Sequence, residues 1–298
     1  MFNRLNTSFR LVVMAGWAMA GVATLLASTP SGTAAEIPVS ELHQKTHIHG
    51  LAVDRVDPSR LLIATHHGLF RAGPDGKAEL VSEVQDFMGF NPHPADPGTL
   101  YASGHPAAGG NLGFIASTDQ GRTWRQISPG ADGPVDFHQM TVNPADPSTI
   151  YGAYGDLQVS RDGGKTWTVS GPAPDRLIDL AASSLSADRI YAATEAGLLV
   201  SADAGKSWTP VLDGAPASLV EVTPDGAVYA FVVGRGLVRS AEEPLRFTTI
   251  SGGFREGYLL HLAADPENPD RLFAATGGGE VLASVDQGAT WTAFGSGF

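Results

Sequence analysis

The sequence predicts an all-β protein, a six-bladed β-propeller whose blades are four-stranded antiparallel sheets. Three observations predict it. An eight-residue motif occurs four times, it lies within a longer repeat of about 40 residues, and two strand-like apolar segments precede it in each repeat. A unit of this length with four short strands is typical of a propeller blade.

The eight-residue motif has the pattern S-x-D-x-G-x-[TS]-W. Its four copies are Ser117–Trp124, Ser160–Trp167, Ser201–Trp208 and Ser284–Trp291. A weaker copy, Ser240–Phe247, has Glu242 and Phe247 in the places of the Asp and the Trp. The pattern indicates a hairpin turn, because the Asp can accept hydrogen bonds from turn amides and the Gly allows a positive φ. The Trp begins the next strand and is expected to bury its ring between neighbouring units.

The longer repeat fits six units. Aligning the first strand of each unit places these residues at equivalent positions: Gly50, Gly89, Gln139, Asp179, Glu221 and His261. Successive positions lie about 40 residues apart, except that the insertion Gly104–Phe114 lengthens the second step. A seventh blade is disfavoured, because residues 36–44 are too few to form one.

Residues 1–35 have the layout of a secretory signal peptide. Arg4 and Arg10 give a positive start, Leu11–Ala27 is apolar and uncharged, and small residues up to Ala35 fit a cleavage site. An uncleaved membrane anchor is the alternative, although the apolar run is at the short limit for a span. We therefore expect an exported protein, in the periplasm or outside the cell, without a membrane span once the signal is removed.

The rest of the chain divides into an N-terminal segment at 36–46 and the propeller at 47–298. The chain has no cysteine, so the fold cannot use disulfides. Its formal net charge is −12, and residues 1–35 add two arginines and no acid to that balance. Nucleic acid and anionic membranes are therefore not expected partners, since both would be repelled. Nothing in the sequence indicates a nucleotide cofactor.

The propeller frame predicts which residues lie at the mouth of the central channel. We name the four strands of a blade A to D from the channel outward. The Asp turns and the A–B turns lie on one face, the bottom face. The starts of A strands and the ends of B strands meet on the other, the top face, where ligand sites of propellers usually lie.

Six of the nine histidines are expected to meet on one sector of the top face, because they start A strands or end B strands in three adjacent blades. They are His47, His49, His66, His67, His105 and His138. His47 and His49 are two residues apart and should share one side of their strand. Asp86 and Asp136 align with His47 in blades 2 and 3, and Met88 aligns with His49.

This cluster predicts a transition-metal site. Neutral imidazoles are good ligands for zinc and copper, and three or four of them with a carboxylate complete a site. The predicted ligands are the six histidines, with Met88 and Asp136 as weaker candidates. Thioethers such as Met88 and Met140 would favour copper. The alternative is that these histidines are polar loop residues that hydrogen-bond exposed backbone.

The sequence resembles a bacterial family of exported BNR-repeat, or Asp-box, proteins described as glycosyl hydrolase-like. The resemblance spans the chain after residue 35, through "HIHGLAVD", "THHGLF", "SGHPA" and "SRDGGKTW". It implies the propeller fold and a relation to sialidases. A sialidase-like site would need three arginines that hold a carboxylate, an acid pair and a tyrosine nucleophile.

The weak catalytic candidates under that resemblance are the acids Asp86, Asp136 and Glu195 and the nucleophile Tyr258. The candidate arginines are Arg176, Arg235 and Arg255. An F/Y-R-I-P segment, which sialidases carry near their start, does not occur here. The architecture is also similar to the photosystem II assembly factor and sortilin propellers, which are binding scaffolds.

Three functional hypotheses follow. The first is an exported binding protein with a metal ion, copper or zinc, at the top face. The second is a glycoside hydrolase, which would take a glycan at the same face. The third is a non-catalytic scaffold that binds a protein partner.

Overall fold

A computed structural model describes residues 36–252, 254 and 257–296, and the predicted signal peptide lies outside the described residues. Within this part of the chain, six antiparallel sheets follow one another, and each sheet is built from one continuous stretch of sequence. Five sheets have four strands in the order A-B-C-D, and the first sheet has one strand more. The predicted all-β, six-bladed propeller is confirmed.

The first three blades contain the following elements. Blade 1 has β1 (Ile37–Pro38), helix α1 (Val39–Leu42), β2 (Ile48–Val53), β3 (Leu61–Thr65), β4 (Gly68–Ala72) and β5 (Lys77–Leu80). Blade 2 has β6 (Met88–Pro92), β7 (Leu100–Ser103), β8 (Phe114–Ser117) and β9 (Arg125–Ser128). Blade 3 has β10 (Gln139–Val142), β11 (Ile150–Tyr154), β12 (Asp156–Ser160) and β13 (Thr168–Pro172).

The last three blades have four strands each. Blade 4 has β14 (Leu177–Ala182), β15 (Ile190–Thr194), β16 (Gly197–Ser201) and β17 (Thr209–Asp213). Blade 5 has β18 (Ala217–Val222), β19 (Ala227–Val232), β20 (Gly236–Ala241) and β21 (Thr248–Ser251). Blade 6 has β22 (Leu259–Ala264), β23 (Leu272–Thr276), β24 (Val281–Ser284) and β25 (Thr292–Ala293).

The N-terminal segment joins the first blade. Strand β1 pairs antiparallel with β5 and becomes the outermost strand of that sheet. Helix α1 follows, and its buried residues Val39 and Leu42 pack in one apolar cluster with Ile48 of blade 1 and Phe273 of blade 6. The segment therefore helps to close the ring between the first and last blades. Within the described residues, no helix has the length and apolar character needed to cross a membrane.

The Asp-box turns have the geometry that the motif predicts. Asp162 accepts hydrogen bonds from the amides of Lys165 (3.0 Å) and Thr166 (2.9 Å) and from the Thr166 hydroxyl (2.7 Å). Gly164 has φ +83°, and a Cβ there would lie 2.0 Å from an edge carbon of Phe114 in the preceding blade. Trp167 is buried between blades, and its indole donates to the hydroxyl of Ser128 at 2.9 Å.

All four Asp-box carboxylates are held ionised in the same way. Hydrogen bonds from the Thr or Ser four residues later lower the pKa of each to about 2. The weaker copy differs. Glu242 accepts hydrogen bonds from the amide and hydroxyl of Ser184, at 2.8 and 2.7 Å, in the A–B turn of blade 4. It therefore stands in the sequence place of the turn Asp but links two blades instead of accepting hydrogen bonds from its own turn.

Polar contacts between neighbouring A strands join five of the six blade pairs. The links are Asn91 to Met140 O, Ala182 N to Thr141, Val220 N to Asp179, Ser218 to Leu259 O and His261 to Ile48 O. Between blades 1 and 2 the strands approach through Gly50, where a Cβ would lie 2.9 Å from the Cβ of Phe90.

The strand register corrects one position of the sequence alignment. Asp179 pairs with Ala193, and the equivalent place in blade 5 belongs to Leu219, which pairs with Phe231. Glu221 pairs with Tyr229 and lies two residues nearer the bottom face. The alignment of Glu221 with Asp179 was wrong because the A–B turn of blade 5 is shorter than that of blade 4.

Candidate metal centre

The top-face histidines fall into two clusters, one between blades 1 and 2 and one between blades 2 and 3. Each cluster is built around an Asp in the connection that leads into an A strand. This Asp contacts a His at the end of the B strand of the preceding blade. Asp86, before β6, meets His66, and Asp136, before β10, meets His105. The pattern arises because each connection between two blades passes over the end of the B strand of the first blade on its way to the next A strand.

The first cluster consists of His49, His66 and Asp86. Asp86 Oδ1 lies 3.0 Å from His49 Nδ1, and Asp86 Oδ2 lies 2.9 Å from His66 Nδ1. The two ring centroids are 4.0 Å apart with nearly perpendicular planes. A bulge in β2 between Ile48 and Gly50 turns His49 out of the regular pleat, as bulges beside sites often do.

The hydrogen bonds of the first cluster leave one nitrogen of each ring for a ligand. Because Nδ1 of His49 and His66 faces Asp86, Nε2 of both rings carries no bond to that carboxylate. This is the arrangement in which a carboxylate orients metal-binding imidazoles. Burial opposes ionisation of Asp86, but the hydrogen bonds from His49 and His66 outweigh it and hold its pKa below the ordinary value.

His47 and His67 flank the first cluster. The exposed His47 ring lies 5.7 Å from the ring of His66, centroid to centroid, and His67 lies 6.5 Å from it on another side. His67 Nδ1 is 3.0 Å from the hydroxyl of Thr46, a contact that the sequence did not predict. The rings of His47, His49 and His67 therefore all lie within 6.5 Å of the His66 ring.

The second cluster consists of His105, Asp136 and His138. Asp136 Oδ2 lies 2.9 Å from His105 Nε2 and 2.7 Å from His138 Nε2. Asp136 is 5% exposed, and its Oδ1 is buried without a hydrogen-bond partner among the residues that the structure describes. The hydrogen bond to Asp136 raises the pKa of His138.

The tautomer of His105 follows from its second contact. Its Nδ1 lies 2.8 Å from the carbonyl oxygen of Gly110, which can only accept, so Nδ1 must carry a proton. In a neutral ring, Nε2 would then direct its lone pair at the carboxylate oxygen of Asp136. An unprotonated imidazole nitrogen and a carboxylate oxygen are both acceptors, so a metal cation bound to both atoms would relieve their repulsion.

The donor set of the second cluster fits a metal ion. Two imidazole nitrogens and one carboxylate oxygen are a ligand set of catalytic zinc sites, in which neighbouring ligand atoms lie about 3.3 Å apart. The spacings of 2.7 and 2.9 Å are shorter, so His105 and His138 would move outward by about half an ångström to reach that value. Both rings have the freedom to do so, since their side chains are 41% and 53% exposed.

The two clusters are contiguous. The amide of Asp86 donates to the carbonyl oxygen of His105 at 3.0 Å, so the backbones of the two sites are directly bonded. The charge of Asp86 also contributes to the raised pKa of His138. Whatever binds at one cluster therefore changes the electrostatic potential at the other.

The two methionines differ in position. Met88, a weaker predicted ligand, begins β6 and lines the central channel next to His49. Met140 is 5% exposed and packs in the apolar core between blades 2 and 3. Both methionines line the channel cavity, and Met88 is the more exposed of the two.

The candidates for glycoside hydrolysis occupy less convergent places. Glu195 is exposed and accepts from Arg176 Nε at 2.5 Å, within blade 4. Arg235 donates to the hydroxyl of Thr249 and to a carbonyl of blade 5. Tyr258 is exposed, with its ring against Gly277. Asp86 and Asp136 are each bonded to two histidines, and Arg255 lies outside the described residues.

The central channel holds polar groups that sequence reasoning did not assign to a site. It encloses a cavity of about 780 Å³ lined by residues of all six A strands, including Asp179, Glu221 and His261. Burial raises the pKa of Asp179 to about 7 and, together with the charge of Asp179, that of Glu221 to about 8. Burial lowers the pKa of His261 to about 4. The sequence signal that could have identified these three residues is a polar residue within an otherwise apolar A strand.

Comparisons with known proteins agree with this fold. A family model for the BNR/Asp-box repeat matches residues 158–169, the turn around Asp162. No curated protein matches this sequence. The solved structures that are similar have low sequence identity and show the fold alone.

Three of these structures are the following. A GH74 enzyme of Niastella koreensis has 16% identity and a TM-score of 0.60, over 83% of this chain and 45% of its own. A GH74 xyloglucanase of Xanthomonas campestris has 21% identity and a TM-score of 0.57, over the same shares. YCF48 of Cyanidioschyzon merolae has 16% identity and a TM-score of 0.50, over 83% and 84%. The chain spans less than half the length of the GH74 enzymes.

Proposed function

We propose that this protein is an exported binding protein that holds a divalent transition metal ion, zinc or copper, at the top face. The observation that carries the proposal is the pair of contiguous His–Asp–His clusters, in which Nε2 of His105 and Nε2 of His138 converge on one oxygen of the buried Asp136. A chain of acidic net charge also favours cations over anions near its surface.

The two clusters would bind the ion through different ligand atoms. His105, His138 and Asp136 would ligate the ion in the second cluster through the atoms that already converge there. In the first cluster, Asp86 holds His49 and His66 through Nδ1, so the rings would ligate through Nε2. Imidazole and carboxylate ligands suit zinc and copper(II), and Met88 is the soft ligand whose participation would favour copper(I).

The test is a titration of the untagged protein with zinc and with copper, followed by calorimetry. The variants are His49→Ala for the first cluster and His138→Ala for the second. His43→Ala is the matched control, because His43 is an exposed histidine outside both clusters. Each cluster variant should lose binding at its own site by at least about tenfold, which corresponds to about 1.4 kcal/mol.

The proposal fails if the parent binds neither metal more tightly than the two cluster variants do. A tag must be absent, since polyhistidine would bind both metals. Export is tested separately, by locating the protein in fractionated cells and determining its N-terminal residue.

The alternatives place a glycan or a protein partner on the same face. The observation that supports a glycan ligand is that Asp86 and Asp136 lie on adjacent blades at that face. Turnover of a chromogenic glycoside that Asp136→Asn abolishes would support hydrolysis. A partner that is captured equally by the parent and by His49→Ala/His138→Ala would support a protein scaffold.

A further inference from the structure

The central cavity extends from the two top-face clusters, whose His49 and His138 lie at its wall, into the channel between the A strands. Its volume of about 780 Å³ suits an organic molecule, since small-molecule pockets measure about 300–1,000 Å³, and greatly exceeds that of a bare ion. The apolar part of its wall includes Met88, Ile178 and Leu260. On the side of blades 1 and 2 the lining includes Gly50 and Gly89, which contribute no side chain.

The charged and titratable groups that line the cavity are Arg55, His49, His138, Asp179, Glu221 and His261. Arg55 is the one Lys or Arg among the described lining residues, and its guanidinium donates to the carbonyl oxygens of His93 and Pro94. It is therefore held at the bottom turn of blade 2. Within the described part of the chain, the cavity has two carboxyl groups and no lysine or arginine free to pair with them.

The two carboxyl groups differ in what they bond. Asp179 accepts from the amides of Leu180 and Val220, both at 2.9 Å, and so serves the contact between blades 4 and 5. The carboxyl group of Glu221 has no hydrogen bond or ion pair with any residue that the structure describes. The equivalent residues of blades 2 and 3, Asn91 and Thr141, do bond the next A strand. Between blades 5 and 6 that link is made by Ser218, so the fold does not use the Glu221 carboxyl.

We propose that the central cavity binds a small organic cation, an amine with an apolar body, whose ammonium group pairs with Glu221 next to Asp179. The apolar wall would cover the body of the ligand. An opposite charge stabilises a carboxylate in a partly buried site, and an ammonium group supplies that partner. This proposal concerns a site other than the proposed metal centre.

Proton release should accompany binding. The raised pKa of Glu221 means that the empty cavity keeps this carboxyl largely protonated at neutral pH. An ammonium ligand favours the ionised form, so the proton leaves as the cation enters. Affinity for the amine should therefore rise as the pH increases from about 6 to about 8.5, and an uncharged ligand would not show this rise.

The experiment uses two amines, putrescine and benzylamine, and their uncharged counterparts, 1,4-butanediol and benzyl alcohol. Calorimetry is performed on the untagged, metal-free protein and on three variants. Glu221→Gln tests the carboxyl while keeping its shape. Glu79→Gln is the matched control, because Glu79 lies on β5, the D strand of blade 1. His66→Ala/His105→Ala separates this site from the metal centre, because these residues belong to the two clusters and do not line the cavity.

We expect at least one amine to bind the parent saturably and neither alcohol to do so. Glu221→Gln should weaken the amine at least about tenfold, while Glu79→Gln and the double histidine variant bind it within about twofold of the parent. Thermal unfolding checks that each variant is folded.

Three results would overturn the proposal. They are no saturable binding of either amine at about 10 mM, equal affinity in the parent and Glu221→Gln, or tighter binding of the alcohols. Loss of amine binding in the double histidine variant would also do so, because the amine would then bind at the top face. None of these outcomes decides whether the top face binds a metal ion.

Discussion

The carbonyl oxygen of Gly110 orients the imidazole of His105, and so positions one nitrogen of that ring in the second cluster. Gly110 lies in the segment Gly104–Phe114, which lengthens blade 2 relative to the other blades. The insertion therefore does more than extend a loop. It supplies the acceptor that places the proton on Nδ1 and leaves Nε2 facing Asp136.

At the residue scale, Asp136→Asn should weaken metal binding at the second cluster by about 10- to 100-fold. The substitution keeps the shape of the side chain but removes the charge that two imidazoles share. Calorimetric titration of the variant with zinc measures the effect. Asp132→Asn, in the exposed loop before Asp136, is the control. Unchanged zinc affinity in Asp136→Asn would show that this carboxylate is not a ligand.

The sequence located these side chains better than it paired them. Placing His49, His66, His105 and His138 on one sector of the top face required the blade period alone. It could not show that Asp86 binds two histidines of the preceding blade, because that depends on the bulge at His49 and on how far each connection crosses. Asp179 and Glu221 were used to align strands, and their place in the cavity follows from inter-blade packing that a single strand pattern does not contain.

At the scale of the element, the Asp-box turn shows why one motif can be repeated without being a binding site. Each Asp is satisfied by amides and a hydroxyl of its own turn, and each Gly lies against an apolar side chain of the preceding blade. The motif therefore fixes a hairpin and its distance from the next blade. Its chemistry is complete within the turn.

We expect Asp162→Ala to lower the free energy of unfolding by about 1–3 kcal/mol, because two amides and a hydroxyl lose their acceptor. Urea unfolding followed by tryptophan fluorescence measures the change, since Trp167 closes this turn. Asp132→Ala, at an exposed loop position, should change stability by less than about 0.5 kcal/mol. Equal stability of the two variants would contradict a structural role for the turn.

At the scale of the whole molecule, residues 36–296, as far as the structure describes them, close the ring by packing and not by exchange of strands between its ends. Every sheet is built from consecutive strands, so blade 6 meets blade 1 through side chains. Helix α1 supplies Leu42, which is fully buried in the cluster that both blades share. His261 adds a hydrogen bond to the carbonyl oxygen of Ile48 at 3.2 Å.

Leu42→Ala should therefore destabilise the fold by about 2–5 kcal/mol, through lost burial and the cavity left between blades 1 and 6. Leu185→Ala removes the same atoms from a side chain in a residue that is 57% exposed, and should change stability by less than about 0.5 kcal/mol. Urea unfolding of both variants measures the difference. A small effect of Leu42→Ala would show that the N-terminal segment does not help to close the ring.

The cavity carboxyls make the stability of the whole molecule depend on pH. Folding raises the pKa of Asp179 to about 7 and that of Glu221 to about 8, from ordinary values of 3.8 and 4.5. The folded state thus holds protons that the unfolded chain has lost. Their contribution to stability is full below the unfolded values and is lost as the pH rises through about 7 and 8.

Glu221→Gln should therefore reduce the fall in melting temperature that the parent shows between pH 5 and pH 9. Thermal unfolding in the two buffers measures it, with Glu79→Gln as the control on an outer strand. A parent and a Glu221→Gln variant with the same pH dependence would show that the Glu221 carboxyl is already ionised in the folded protein.

The most direct test of the central claim is anomalous diffraction from crystals of the untagged protein grown with zinc. The proposed metal centre predicts a zinc peak within bonding distance of His105 Nε2, His138 Nε2 and Asp136, with a second site at His49 and His66. Peaks elsewhere alone, or no peak with both imidazoles still hydrogen-bonded to Asp136, would contradict the claim and leave the clusters as structural hydrogen-bond networks.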